Sequence, residues 1–445
     1  MQQPTVPVDR APPLPLSPFT SPRPLAHPTL GPLARSSYPR ALLDHVVAFL
    51  DRTPPTATPT APHTLVDLGC GPGLSTFDWL DLPSSSSSSP RFSRIIGVDP
   101  SQGMVTAARN ILADRGGPPA SADIHFEVAR GDHLAHVVAD ESVDLAIAGQ
   151  AAHWFDAPAT YAELARVLKP GGAFAFWVRP RPRPLSPFLP LDRHADPLLH
   201  TQGYGEFFFP GKPELSALIP RYSGRTLGPS LPPSHSRTLP LRALAHLAPA
   251  LSLAGPYWEQ PGRSIVEDLL VPFPLPAASS SSSTIPSSTA SQFDPASLTR
   301  TFFLRPQAAA AAAAAAEPHA LPPLLEPLAA SLGPPSPSSS SSTTWLAPSP
   351  SPSPTSSPSP TTGLARLEVH RTLLLTRQWS PAQLEGYLRT WSAAHAFDEA
   401  HPGRDVVSGF LRELREAEGG LRELGEGETV EVAWEVGVVM GRKKA

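Results

Sequence analysis

Short apolar runs alternate with amphipathic stretches over residues 65–178. The runs are rich in Leu, Ile, Val, Ala and Phe, which is typical of strands buried on both faces of a parallel sheet. The stretches between them repeat apolar residues at helical spacing, as Met104, Ala107, Ala108 and Ile111 do. This alternation predicts an α/β fold with a mostly parallel sheet and helices on both faces. The predicted strands are 65–68, 94–99, 124–128, 143–148 and 173–178, and the predicted helices are 104–112 and 157–168.

Periodic segments also flank this region. An amphipathic helix is predicted over residues 38–50, and strands are predicted over 367–375 and 429–439. Ser380, Pro381 and Gln383 have the pattern of a helix N-cap, a first-turn proline and a capping-box glutamine. We expect residues 363–445 to return to the sheet and not to form a separate domain.

A glycine-rich turn follows the first predicted strand. Asp67 precedes Gly69, Gly71 and Gly73, and their G-x-G-x-G spacing places the third glycine one residue earlier than in the dinucleotide pattern. Glycine lets the backbone turn sharply and approach a ligand closely. Asp99 ends the second strand, where a carboxylate can accept both hydroxyls of a ribose. It lies 30 residues after Gly69, whereas a separation of about 20 residues is usual. A loop insertion that contains the serine tract 84–89 would account for most of the excess.

These motifs, taken in order, resemble those of class I S-adenosylmethionine (SAM) methyltransferases. The segments that carry the resemblance are Asp67–Gly73, Gly97–Asp99, Ser142–Leu145 and Arg166–Gly172. The segment Gln150–Asp156 is similar to the A-x-H-W-F-D segment of the trans-aconitate methyltransferase group. Flanking segments at Ser37–Pro39, Pro256–Trp258 and Gly386–Ser392 also resemble that group.

The resemblance implies a Rossmann-like sheet of seven strands, one of them antiparallel, and SAM as cofactor. Asp67, Gly69, Gly71 and Gly73 would bind its methionine portion and Asp99 its ribose. Asp132 would meet the adenine, although the residues around it depart from the family pattern, and a solvated loop acid is an equal alternative.

The acceptor side is expected after the fourth strand. His153 and Trp154 are the candidate catalytic residues, because ligands bind at the carboxyl ends of strands in open α/β sheets. Core packing for Trp154 and a loop hydrogen bond for His153 are the alternatives. Four further residues are candidates for an acceptor pocket, and ordinary packing or a surface role is the alternative for each: Tyr257, Trp258, Arg263 and Trp391.

Composition divides the chain unevenly, because proline supplies 60 of its 445 residues and serine tracts recur. We predict a disordered segment over 1–34, a SAM-binding core over 35–180 and a cap over 181–305. A low-complexity, disordered insertion is predicted over 306–362, and 363–445 complete the sheet.

Net charge, hydropathy and cysteine content limit which binding partners and which cellular location the sequence predicts. The net charge of −4 favours neither nucleic acid nor an anionic membrane, and no apolar run approaches the ~20 residues that span a bilayer. The single cysteine, Cys70, and the lack of a secretory pattern after Met1 predict a cytoplasmic protein. No metal site is predicted, because the histidines are scattered. The sequence gives no indication of oligomeric state.

Three functions are compatible with these features. The first is SAM-dependent methylation of a small molecule, with the trans-aconitate resemblance implying an organic acid that is methylated to an ester. The second is a secondary-metabolite O- or N-methyltransferase. The third is a non-catalytic, SAM-binding regulatory subunit. The glycines and Asp99 match the family motif, which favours an enzyme.

Overall fold

A computed structural model gives the arrangement of the folded parts of the chain. It describes residues 38–52, 63–80, 82, 90–118, 122–178, 209–210, 212–216, 265–266, 268–277, 284–305, 321, 324–339, 342–347, 364–389, 399, 401–416 and 428–445. The predictions for residues 1–34 and for most of the cap lie outside these ranges.

The elements below are numbered in chain order within the described residues. The strands are β1 His63–Leu68, β2 Phe92–Asp99, β3 Asp123–Val128, β4 Val143–Gly149, β5 Leu168–Val178, β6 Thr299–Phe303, β7 Ser336–Ser339, β8 Ser342–Leu346, β9 Arg366–His370, β10 Leu375–Trp379, β11 Val430–Trp434 and β12 Val436–Arg442. The helices are α1 Arg40–Asp51, α2 Leu74–Phe77, α3 Gln102–Asp114, α4 Ala157–Val167, α5 Pro213–Ser216, α6 Ser287–Ala290, α7 Glu326–Ala329, α8 Pro381–Arg389 and α9 Val406–Glu416. Short 3₁₀ turns cover Ala152–Trp154 and Pro295–Ser297.

Local side-chain hydrogen bonds explain where several helices begin. The Ser101 hydroxyl accepts a hydrogen bond from Met104 N at the start of α3. The Asp156 carboxylate accepts one from Ala159 N at the start of α4. At α8, Ser380 Oγ accepts from Gln383 N at 3.3 Å, and Gln383 Oε1 accepts from Ser380 N at 2.9 Å. This confirms the predicted capping box, which satisfies backbone donors that the first helical turn leaves free.

The main sheet has ten strands in the order β3-β2-β1-β4-β5-β12-β6-β9-β8-β7. Strands β1 to β5 are mutually parallel, and β12 lies antiparallel between β5 and β6. The expected mostly parallel α/β sheet is therefore present, with an antiparallel strand near its end. The predicted number of seven is too low, because β9, β8 and β7 extend the sheet beyond β6.

Three strands of the main sheet fall within segments that were predicted to have other roles. Strand β6 falls within the predicted cap but pairs with β12 from Thr299 to Phe303. Strands β7 and β8 fall within the predicted disordered insertion, yet β8 pairs antiparallel with β9. Composition misled here because the segment is mostly Ser and Thr, although Trp345 supplies an apolar side chain that is buried against the sheet.

The predicted strand over 429–439 is divided at Glu435. Strand β11 pairs with β10 in a separate two-stranded sheet, whereas β12 joins the main sheet. Glu435 is fully buried, and its Oε1 accepts hydrogen bonds from Arg305 N at 3.1 Å and Arg305 Nε at 3.2 Å. The alternating pattern was read correctly as extended backbone, but it does not reveal a change of pairing partner.

Apolar side chains cover both faces of the main sheet. On one face, α1, α3, the β10–β11 sheet, α8 and α9 share a core with Trp79, Trp177 and Trp434. On the other face, α4 packs with residues 265–277 around Tyr161 and Phe174. No helix in the described part of the chain is long and apolar enough to cross a membrane.

Candidate functional site

The glycine turn joins the carboxyl ends of β1 and β2. Gly69 N and Cys70 N both donate to Val98 O, at 2.8 and 3.0 Å. Gly71 N donates to Asp99 Oδ2 at 2.9 Å, and Asp99 Oδ1 accepts from Ser101 N at 2.9 Å. The carboxylate of Asp99 therefore holds the turn directly, in addition to lying where the sequence predicts a ribose contact.

All three glycines of the turn have positive φ, at 71°, 56° and 79° for Gly69, Gly71 and Gly73. A Cβ on Gly69 would lie 2.5 Å from the Ala151 side chain, and one on Gly73 would lie 2.8 Å from Phe126. A Cβ on Gly71 would meet nothing within 4 Å. Close packing thus explains two of the glycines, and Gly71 is the one whose backbone faces open space.

Asp67 lies beneath the turn, where it is almost completely buried. Its Oδ2 accepts hydrogen bonds from Ser75 Oγ at 3.1 Å and Thr76 Oγ1 at 2.7 Å. Burial raises the pKa of Asp67 to about 6, against the opposing effect of these two hydroxyls. Among the described residues, its buried Oδ1 accepts no hydrogen bond. Ser75 and Thr76 were not among the predicted site residues, although their position just after the glycines was a signal.

Asp132 lies in the loop after β3, at the same edge of the sheet. Arg130 donates to both of its oxygens, from Nε at 2.8 Å and Nη2 at 2.7 Å. These hydrogen bonds hold the pKa of Asp132 below its usual value. The structure thus places Asp132 near the predicted region but pairs its carboxylate with an arginine that the sequence analysis did not consider.

His153 and Trp154 lie in the 3₁₀ turn that follows β4. Their rings are 4.9 Å apart. Trp154 is 43% exposed, and within the described residues Leu346 is the other large apolar residue that is exposed. Core packing, the alternative considered for Trp154, therefore does not apply. Gln150, which begins this loop, has φ of 59°, and its N–H donates to Trp177 O at 2.9 Å. A non-glycine residue in the left-handed region is uncommon and is found at functional loops.

Phe155 contacts both the glycine turn and the loop after β3. It was not among the predicted site residues. Its ring packs edge-on against Phe176 at 5.8 Å. Its Cε1 lies 3.6 Å from the position of a Cβ on Gly131 and 4.0 Å from one on Gly69. The loop after β4 is therefore seated against both the glycine turn and the loop after β3.

The site residues that are described converge on one edge. Asp67 lies next to the last residue of β1, Asp99 ends β2, and Asp132 follows β3. His153 and Trp154 follow β4. Because these strands are parallel, their carboxyl ends meet at one edge of the sheet, which is where open α/β sheets bind ligands. The other pocket candidates, Tyr257, Trp258, Arg263 and Trp391, lie outside the described residues.

This arrangement fits SAM. The open space at Gly71 allows a ligand to approach the backbone, and Asp99 ends β2 where a ribose hydroxyl can be accepted. Burial raises the pKa of Asp99 as it does that of Asp67. Buried carboxylates suit a cofactor that carries a sulfonium cation, because opposite charges attract more strongly where water is excluded. Within the described ranges, no group of His, Cys, Asp and Glu side chains could hold a metal ion.

Part of the chain matches a known family and known proteins. Residues 66–176 match the family model described as "Methyltransferase domain". The probable SAM-dependent methyltransferase CRG1 of Saccharomyces cerevisiae is 32% identical over 143 residues, which is 32% of this chain and 42% of that protein. A proposed methyltransferase of Dictyostelium discoideum is 27% identical over 112 residues, covering 25% of this chain and 35% of that protein. The chain thus spans less than half the length of each of these two relatives.

Among solved structures, a proposed type II methyltransferase from Anaeromyxobacter dehalogenans is 18% identical and has a TM-score of 0.43. The match covers 92% of this chain and 97% of that one. The domain match and the geometry of the site together define the class. Residues 66–176 form a class I SAM-dependent methyltransferase domain, and SAM is the cofactor of this domain.

Proposed function

We propose that the whole protein is an enzyme that transfers the methyl group of SAM to a small molecule, at a carboxylate oxygen of an organic acid. The observation that carries this proposal is the exposed Trp154 beside His153 at the carboxyl end of β4. Strand β4 pairs with β1, whose glycine turn is the cofactor side of the site. A small acceptor could therefore contact Trp154 next to the cofactor.

The resemblance of Gln150–Asp156 to the trans-aconitate group supports a carboxylate as the methyl acceptor. The chemistry asks little of the protein in this case. An unperturbed carboxylic acid has a pKa of about 4, so at neutral pH it is already the nucleophile. SAM supplies the reactive methyl group. The protein binds both molecules, aligns them and excludes water, and His153 serves to orient the acceptor and not to remove a proton.

Two alternatives remain as outcomes of the test. A phenol or amine acceptor, as in a secondary-metabolite O- or N-methyltransferase, must lose a proton as it is methylated. A histidine, with an ordinary pKa of about 6.5, suits that task. A SAM-binding regulatory subunit would bind the cofactor and form no product.

The experiment is incubation of the full chain with isotopically labelled SAM and a panel of acids, phenols and amines, followed by mass spectrometry. We expect a labelled methyl ester. A methylated phenol or amine would replace the proposed acceptor class. Binding of SAM without any product from the panel would favour the regulatory subunit.

The role of His153 is tested by the pH dependence of the rate. With a carboxylate acceptor, His153→Ala lowers kcat through poorer orientation, and the wild-type profile has no limb near pH 6 to 7 that disappears in the variant. If such a limb is present and vanishes while SAM affinity is retained, His153 acts as a general base and the acid-acceptor proposal is wrong.

A further inference from the structure

A hydrogen bond ties the start of the N-terminal helix to the segment that follows the cofactor turn. Tyr38 N donates to Asp78 Oδ2 at 2.8 Å, and the two residues are 40 positions apart. Asp78 follows α2, the short helix that begins directly after Gly73. The contact therefore joins two segments that no local structure brings together.

The Tyr38 ring lies against the ends of β4 and β5. It packs edge-on against Trp177 at 5.3 Å. Its Cε2 is 3.0 Å from the position that a Cβ on Gly149 would occupy. Gly149 is the last residue of β4 and pairs with Trp177 of β5. Tyr38 thus lies at the sheet edge that also carries the glycine turn and the His153–Trp154 turn.

The other end of α1 has anchors of its own. The Arg442 guanidinium donates to Phe49 O and, at 2.9 Å, to Leu50 O. Asp51 accepts hydrogen bonds from Arg91, another contact between residues 40 positions apart. Loss of the Asp78 contact would therefore weaken the attachment of the Tyr38 end of the helix while these contacts at the far end remain.

The surroundings of Asp78 make this contact difficult to replace with water. Burial raises the pKa of its carboxyl to about 7, and the repulsion of Asp67 acts in the same direction. The Tyr38 N–H, Arg377 and Arg115 act in the opposite direction. A hydrogen bond to a desolvated carboxyl is costly to leave unmade, because the orphaned donor or acceptor loses its solvation as well.

We propose that Asp78 is a positioning residue, which fixes Tyr38 over the carboxyl ends of β4 and β5 and thereby shapes the cofactor site. Asp78 acts through Tyr38 and is not a catalytic residue. The inference rests on the proposed SAM methyltransferase function, and it adds a residue that follows the glycine motif and belongs to none of the motifs that carry the family resemblance.

The test compares SAM affinity and melting temperature in five variants of the full chain: Asp78→Ala, Asp78→Asn, Tyr38→Ala, the double variant Asp78→Ala/Tyr38→Ala, and Asp51→Ala as the matched control. Asp51→Ala removes an equally long-range contact of the same helix at its far end. Isothermal titration with SAM and with S-adenosylhomocysteine measures affinity, and thermal unfolding measures stability.

We expect Asp78→Ala to weaken SAM binding about tenfold, and Asp78→Asn, which keeps a carbonyl acceptor, to stay within about threefold of wild type. Asp51→Ala should lower the melting temperature and leave SAM affinity within about twofold. If Asp78 acts through Tyr38, adding Asp78→Ala to Tyr38→Ala changes affinity less than twofold, because contacting residues are not additive.

Several outcomes would overturn the proposal. One is an equal loss of affinity in Asp78→Ala and Asp51→Ala, which would indicate a purely structural effect. Another is full additivity of the two single variants. Unchanged SAM affinity in Tyr38→Ala would also refute it, even if Asp78→Ala does not fold. Failure of the wild-type chain to bind SAM would instead refute the proposed function.

Discussion

The open space at Gly71 allows a sharp test of the cofactor site by Gly71→Val. Gly71 has φ of 56°, and a Cβ there would meet no atom within 4 Å. Gly116 offers a matched control, because it has φ of 93° and equally open space at the exposed end of α3. The two substitutions add the same side chain to two strained, uncrowded backbones that differ in their distance from the site.

The expected magnitudes follow from these conformations. An L-residue in the left-handed region costs roughly 1–2 kcal/mol, and a β-branched residue costs more, so both variants should lose folding stability by similar amounts. At Gly71 the valine also occupies the space through which a ligand reaches the backbone. We expect SAM affinity to fall at least about 30-fold, roughly 2 kcal/mol, in Gly71→Val and to change less than about twofold in Gly116→Val.

Urea unfolding measures the free energy of unfolding of each variant, and isothermal titration measures SAM affinity. Because both glycines have positive φ, backbone strain is present in both variants, and a larger loss of affinity in Gly71→Val reports the site itself. Wild-type affinity in a folded Gly71→Val variant would show that the cofactor does not approach this turn. An equal loss in both variants would show that strain and not steric exclusion is responsible.

Three further predictions concern single side chains. Asp99→Asn, which also weakens the hydrogen bond from Gly71 N, should reduce SAM affinity by about 1–3 kcal/mol in a titration, the usual scale for hydrogen bonds to a charged group; an unchanged affinity would argue against a ribose contact. The folded-state pKa of Asp67 is raised from 3.8 to about 6, so between these pH values the unfolded chain has lost a proton that the folded chain keeps. The free energy of unfolding should therefore fall with rising pH across this window, by up to about 1.4 kcal/mol per unit, and the slope should flatten in Asp67→Asn. Trp345→Ala should lower the free energy of unfolding by about 3–5 kcal/mol in chemical denaturation, because this side chain of β8 is buried. A change near zero would support the disordered insertion that composition predicts.

Local sequence patterns were sufficient for the parallel part of the fold. Each of the strands β1 to β5 lies within a few residues of its predicted position, and Ser380 caps the helix it was expected to cap. These features depend on side-chain periodicity and on hydrogen bonds that span three residues. Both are properties of neighbouring positions and can be read along the chain.

The distant pairings could not be read in this way. Strand β6 at Thr299–Phe303 lies beside β12 and β9, which are far from it in the chain, and β8 pairs with β9 across the low-complexity segment. The polar strand β8 has no strong periodic signal, because only Thr344 and Trp345 of its five residues are buried. The division of residues 429–439 into strands of two sheets likewise depends on which partners lie nearby.

The candidate site likewise combines features that can be read along the chain with contacts between distant segments. The glycine turn, the acid at the end of β2 and the loop after β4 could be predicted from the sequence. Their residue types and spacing reflect backbone conformation and strand ends. The tertiary structure alone decided that Gly69 and Gly73 are required by packing, that Arg130 pairs with Asp132, and that Asp78 holds Tyr38 at the edge of the site. Such contacts join segments that folding brings together, and a single sequence carries no local pattern that reports them.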